Sequence, residues 1–231
     1  MTKKVNLAIL SSIAAIRLTI AQESPTPSPT EVPSPSATTS APPSRTVSLR
    51  FVPPQMEGTI SLGIWDSNDK LVRVLHREAK IDKFTVEENS LSTTWDGKND
   101  VGEDLPLGKY RARGYLVGKL KIEDLGKVTS SPEGATDHIS VKLVMNPLVA
   151  DTRSVMDVAI SFGSDGSFLK TMDDLPLATI SERLDLTRVS MQKNGEKAAD
   201  VWQDDGSSVE HLRVSNIDKI MAFDCGFFEL K

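Results

Sequence analysis

The sequence predicts an all-β protein: an antiparallel β-sandwich followed by a second small β-rich domain with the rhythm of a meander or a propeller blade. Three observations carry that expectation. Apolar residues recur at every second position over much of residues 46–231. Turn signals such as Asp66-Ser-Asn-Asp69, Asp96-Gly97, Asn194-Gly195 and Asp205-Gly206 divide these runs at short intervals. No stretch joins a helical apolar stripe to an N-cap and a glycine stop. With 231 residues the chain has room for one or two domains.

The first 45 residues stand apart. Lys3 and Lys4 precede residues 5–16, in which only Asn6, Ser11 and Ser12 are polar. A basic start before a short apolar run is the layout of a secretory signal peptide, and the run is well short of the ~20 apolar residues that span a bilayer. Residues 1–21 are therefore expected to be removed after Ala21, although Arg17 is an awkward charge so near that point. The alternatives are a retained anchor and an amphipathic N-terminal helix. From 22 to 45, seventeen of twenty-four residues are Pro, Ser or Thr, and seven of the chain's thirteen prolines fall here. Such a segment has too little apolar area to offset the entropy of ordering, so it reads as a disordered, extended linker.

Residues 46–125 form the first expected unit. Val47, Leu49 and Phe51 alternate with polar neighbours, as do Ile60, Leu62 and Ile64 with Thr59, Ser61 and Gly63. Leu71-Val-Arg-Val-Leu75 is a denser run, and Tyr110, Ala112, Gly114 and Leu116 mark a further strand. Each pattern predicts a half-buried strand with one face on a core and one in water.

The most specific local signal is Trp95-Asp-Gly-Lys-Asn-Asp-Val-Gly-Glu-Asp-Leu-Pro-Leu-Gly-Lys-Tyr110. A strand end meets a tight turn at Asp96-Gly97, a second at Asp100-Val-Gly102, and a third, Pro106-Leu-Gly108, leads into the strand carrying Tyr110. Trp95 and Tyr110 are expected to cap the two sides of the core. The acidic residues do not follow the spacing of an EF-hand loop: from Asp96, the third position is Lys98, the sixth Val101 and the twelfth Leu107. Hydrogen-bonded Asx turns account for them without a metal.

This block resembles the immunoglobulin-like domain of the FlgD family, which also recurs at the C-termini of many secreted bacterial enzymes. In that family a strand similar to Ile64-Trp-Asp-Ser-Asn-Asp-Lys-Leu-Val-Arg-Val-Leu75 comes first, then the Trp-Asp-Gly block, then a strand such as residues 111–117. Both halves occur here in order, within about residues 47–122. The resemblance implies an immunoglobulin-like sandwich acting as a spacer, binding or assembly module, with Trp95, Asp96, Gly97, Asp100, Gly102, Pro106, Gly108 and Tyr110 as its structural motif. Residues 1–45 lack the Gln-rich helical start of flagellar hook-cap proteins.

Residues 126–136, with Gly126, Pro132 and Gly134, read as a linker. In the second unit, residues 137–231, Ile139, Val141, Leu143 and Met145 alternate, as do Val158, Ile160 and Phe162. Gly163-Ser-Asp-Gly166 between Phe162 and Phe168 reads as a hairpin looser than a two-residue turn. Residues 173–183 are the one candidate for a short helix, against Pro176. Cys225-Gly-Phe-Phe-Glu-Leu is expected to close a core as a strand, unless the chain is the front of something longer.

Chemistry is sparse. The acidic balance, 23 basic against 30 acidic side chains in residues 46–231, excludes a counterion-displacing nucleic-acid binder. The one cysteine, Cys225, leaves no internal disulfide and reads as a buried small hydrophobe. His76, His138 and His211 suit exposed positions, and Asp173-Asp174 and Asp204-Asp205 read as solvated turns. No nucleophile elbow, zinc pair, P-loop or dinucleotide fingerprint occurs. The expectation is a non-enzymatic protein without cofactor or metal, secreted or periplasmic. Its partner is a protein or cell-envelope component, and it meets a membrane only through a retained signal. The alternatives are accessory domains of a larger secreted enzyme and a hook-cap-related assembly protein.

Overall fold

Alternating apolar side chains become strands throughout. The computed structural model describes residues 45–52, 56–146 and 154–231; the expected signal and nearly all of the proline-rich segment lie outside them. Fifteen strands follow in order: β1 (Val47–Phe51), β2 (Thr59–Trp65), β3 (Leu71–Ala79), β4 (Thr85–Val86), β5 (Leu91–Trp95), β6 (Gly108–Val117), β7 (Lys121–Val128), β8 (His138–Lys142), β9 (Val155–Gly163), β10 (Gly166–Thr171), β11 (Pro176–Ser181), β12 (Arg188–Asn194), β13 (Ala198–Asp204), β14 (Val209–Ser215) and β15 (Ile220–Leu230). They sort into four antiparallel sheets, ordered β1-β5-β4, β15-β6-β2-β3, β12-β13-β14-β7 and β11-β10-β9-β8. A 3-10 turn at Ile81–Lys83 is the one helical element among the described residues.

The topology does not follow the sequence blocks. β6 pairs with β15 from Gly108↔Leu230 to Val117↔Ile220. β7 pairs with β14 from Lys121↔Ser215 to Val128↔Val209. Both pairings run along the same two stretches of chain, so β6–β7 and β14–β15 are one long antiparallel ribbon that bends from one sheet into another. At the bend the Gly118 amide donates to the Lys219 carbonyl at 2.7 Å, and the Asn216 side-chain amide donates to the Lys119 carbonyl at 3.0 Å. A Cβ on Gly118 would lie 2.8 Å from that of Lys219, so the two strands can approach this closely only without it.

Two apolar cores lie on either side of β2, β6 and β15. The first gathers Leu49, Phe51, Leu91 and Trp95 from the β1-β5-β4 sheet against Ile60, Leu62, Ile64, Ala112, Leu116 and Phe223. Phe223 stacks on Phe51 at 4.4 Å between ring centroids and lies over Gly114, its partner across the ladder. The second core joins Trp65, Tyr115, Val117, Ile220 and Ala222 to apolar residues of β8 to β14. Since alternate side chains of a strand point to opposite faces, β2 is buried on both from Ile60 to Trp65. The half-exposed reading of this strand is thereby corrected. Ser61, on its polar face, is fully buried and its hydroxyl accepts the Glu78 amide at 3.2 Å.

Polar contacts fix β3 and its neighbours to the second core. The Trp65 indole donates to Asp173 at 2.6 Å while the Arg113 guanidinium lies 4.3 Å over the indole ring. Glu78, held at a φ of 47°, accepts both the Thr179 amide at 2.8 Å and its hydroxyl at 2.6 Å. Within the second core, Gln203 and Ser167 are fully buried. The Gln203 amide donates to the Ser167 hydroxyl at 2.6 Å and accepts from Ser181 at 2.8 Å, so neither desolvated group is left without a partner.

Several local expectations change. Residues 173–183 carry no helix; after a turn at Asp174, whose φ is 71°, β11 begins at Pro176 with Leu177 and Ile180 in the second core. A proline tolerates the start of an edge strand but not a helix interior. The hairpin at Gly163 is tighter than expected: Gly163 pairs with Gly166, leaving the two-residue loop Ser164-Asp165. β7 extends through Val128 into the segment read as a linker. Asp173 lies in the expected turn, part-exposed, and also accepts the Trp65 indole.

Phe223→Ala opens a hole in the first core and is expected to lower stability by ~3–5 kcal/mol. Thermal unfolding followed by tryptophan fluorescence and circular dichroism should remain a single coincident transition, because the ribbon belongs to both cores. Two separated transitions in the wild type would contradict a shared ribbon.

Candidate functional site

The block from Trp95 to Tyr110 is a stack of turns closed on itself. Asp96 accepts the Lys98 amide at 3.1 Å, and Asn99 accepts the amides of Val101 and Glu103 at 3.1 and 2.9 Å. Leu105 N–H donates to the Gly97 carbonyl at 2.9 Å, and Gly102 N–H to Asn99 at 3.1 Å. Gly97 and Gly102 take φ of 76° and 84°, the left-handed region that costs other residues a Cβ clash. Asp100 reaches out of the block and accepts the Val74 amide of β3 at 3.0 Å. These side-chain oxygens are engaged with amides, which gives the turns their shape.

Trp95 and Tyr110 share one core rather than capping opposite sides. Their rings meet edge to face at 5.2 Å, with Phe228 of β15 against both. The Trp95 indole donates to the Lys98 carbonyl at 2.9 Å, and the Tyr110 hydroxyl to the Pro106 carbonyl at 2.7 Å. Pro106 thus anchors Tyr110 through its carbonyl, and Gly108 opens β6. All eight motif residues therefore sit in one structural corner.

A cleft lies elsewhere, at the bend of the ribbon. It measures about 260 Å³ and is lined by Val117, Gly118, Lys119, Leu120 and Ile122 on one side and Glu78, Ala178 and Thr179 on the other. Its walls are mostly apolar. Lys119 makes no ion pair within the described residues, whereas both Glu78 oxygens are engaged by Thr179. The cleft adjoins β7, the end strand of its sheet, which is exposed along nearly its whole length. Ile122, Leu125 and Val128 there are 40%, 44% and 36% exposed. Sequence reasoning missed this place because it is assembled from β3, β11 and the bend. The available signal was Gly118 between two strand patterns, a spacing that suits a bend as well as a turn.

The remaining titratable groups are bound into the fold. His76 is half-buried, packs at 4.5 Å on Phe84 and shares a hydrogen bond of 2.9 Å with Thr93; burial pushes its pKa down. His211 stacks on Trp202 at 4.9 Å with Nε2 3.6 Å from Asp200. These two are therefore not the exposed histidines expected, while His138 is exposed. Asp205 accepts from Ser207 and Ser208 and pairs with Arg183 at 2.6 Å, and its carboxyl is held far below the usual range, first by the Ser207 hydroxyl. Cys225 sits at a bulge in β15; burial, then the Asp224 charge, push its thiol up to about 12. No group of three or more His, Cys, Asp or Glu among the described residues is placed to hold a metal ion.

The fold defines an all-β protein whose sheets are joined by a continuous ribbon. Comparison with protein-family models, with curated proteins and with solved structures finds no match.

Two outcomes test this site chemistry. Gly102→Ala, with open space at its Cβ, is expected to cost ~1–2 kcal/mol of stability from its φ alone. Gly97→Ala should cost more in the same denaturant titration, since its Cβ meets Leu230 at 3.0 Å. For Cys225 the folded thiol ionises above its ordinary value of 9.0. The unfolded chain therefore releases this proton first, and stability falls as pH rises from about 9 to about 12. Cys225→Ala should flatten that part of the stability–pH curve; an unchanged slope would refute the assignment.

Proposed function

We propose that the chain is an exported, non-catalytic β protein that works as a binding or assembly module, its first sheets forming an immunoglobulin-like sandwich of the FlgD type. The observation that carries this reading is β7, an exposed end strand with three apolar side chains beside an apolar cleft. Strand edges of this kind are templates for pairing with another chain. The sandwich reading is supported by Tyr110, whose hydroxyl bonds to backbone four residues upstream as in the tyrosine corner of immunoglobulin-like domains. Export rests on the charged start, apolar run and small residues at 19 and 21. No helix among the described residues is long and apolar enough to cross a membrane.

Fractionation of expressing cells with N-terminal sequencing tests the reading. The expected product is found outside the cytoplasm and begins at Gln22. An intact Met1 terminus in the cytoplasmic fraction would overturn export.

A further inference from the structure

Asn194 is the one asparagine of the chain that precedes a glycine. It pairs with Ala198, so Gly195, Glu196 and Lys197 form the loop between β12 and β13. Asn194 and all three loop residues are exposed. The far side of the loop is held: Glu196 pairs with Lys142 at 2.8 Å, and the Lys197 carbonyl accepts the Ile217 amide at 3.2 Å. Gly195 stands in the open, with a φ of 70° and nothing within 4 Å of where a Cβ would lie. Without a side chain, its amide nitrogen is the backbone nucleophile that a neighbouring side chain approaches most easily. Asp96, Asp165 and Asp205 also precede glycines. Their carboxylates, when ionised, repel a nucleophile, whereas the Asn194 carboxamide is neutral and can expel ammonia.

One contact stands against that reaction. The Asn194 side-chain amide donates to Asp200 at 3.0 Å, diagonally across the hairpin on the same face. Asp200 is fixed in turn: Arg213 donates to both of its oxygens, at 2.8 and 3.1 Å, and His211 Nε2 lies 3.6 Å away. Burial works against the Asp200 charge, but the hydrogen bonds from Arg213 and Asn194 more than offset it and hold its pKa below the ordinary value. The carboxylate therefore stays charged and keeps the carboxamide on the sheet face. We infer that Asn194 is a deamidation site whose reaction is gated by Asp200. When the carboxamide leaves Asp200, the Gly195 nitrogen gives its proton to solvent base and bonds to the Asn194 side-chain carbonyl carbon. The carbon–nitrogen bond of the carboxamide breaks, and the leaving nitrogen takes up a proton and departs as ammonia. Water then opens the cyclic imide at either carbonyl and leaves aspartate or isoaspartate. Hydrolysis replaces a donor to a half-buried carboxylate with a second negative charge facing it.

The test incubates the folded full chain at mildly alkaline pH and follows each asparagine by peptide mass spectrometry with isoaspartate labelling. Conversion is expected at Asn194 ahead of Asn89, which is exposed between β4 and β5 and precedes a serine. Conversion at Asn194 should be faster still in urea-unfolded protein, where Asp200 no longer holds the amide. Asp200→Ser removes the acceptor and should speed conversion at Asn194 about fivefold while Asn89 keeps its wild-type rate. Asn194→Asp should lower the melting temperature by ~2–4 °C. No conversion at Asn194 in the folded chain overturns the site, and an equal rate in Asp200→Ser and wild type overturns the gate. If Asn89 accelerates as well, the variant has unfolded, and Asp200→Asn, of the same shape without the charge, is judged by the same two rates.

Discussion

The fold depends on one constraint, the continuous ribbon formed by β6–β7 and β14–β15. Its pairing stays antiparallel from Gly108↔Leu230 through the bend to Lys121↔Ser215 and onward, with register shifts at Asp224/Gly226 and at Glu210/Leu212. Neither end can be formed correctly without fixing the other, because the two strands stay paired across the bend. Strands β8 to β13 therefore lie between two halves of one structural element. That placement makes the topology non-local, with β6 and β15 pairing residues more than a hundred apart in sequence, a pattern associated with slow folding.

The ribbon also explains why β2 and the central part of the β15-β6-β2-β3 sheet are covered on both faces. A sandwich needs only one apolar face per sheet. Here the second core takes the other face at Trp65, Tyr115, Val117, Ile220 and Ala222. The charged contacts at that junction are few but well partnered. Asp173 is shared by Trp65 and Arg113, and Glu78 is used twice by Thr179. Removing one member of such a set leaves its partner desolvated and unpaired, which costs more than the bond contributes. The junction is specified by geometry and satisfied polarity, and its apolar part is continuous with the second core.

Much of this was legible locally and little of it globally. The alternation at Val47, Leu49 and Phe51 and at Ile60, Leu62 and Ile64 identified β1 and β2 because period two is written in adjacent residues. Asp66, Asp96, Asn194 and Asp205 marked turns for the same reason. What escaped was anything set by distant partners. Ser61 and Gly63 read as a solvated face, since a small polar residue looks the same whether water or a second core lies over it. The strand at Pro176 was confused with a helix because its neighbours are short and its pairing to β10 is irregular. The motif residues from Trp95 to Tyr110 were legible as a structural corner, whereas the cleft was invisible, its walls being drawn from stretches near residues 58, 78, 120 and 178.

The bend gives the cleft its physical origin. A ribbon that passes between two packed sheets must turn where side chains are smallest, and Gly118 is where a Cβ would meet Lys219. Gly58 makes the matching concession just before β2, where a Cβ would fall 2.1 Å from the Val117 carbonyl. Both glycines line the cleft. Removing side chains so that backbones can cross leaves a hollow beside the crossing, and the apolar residues that flank the bend become its walls. The same turn carries β7 away from the first core and leaves its outer edge uncovered. An open edge and a hollow next to it are thus two consequences of one crossing, and their adjacency follows from the path of the chain.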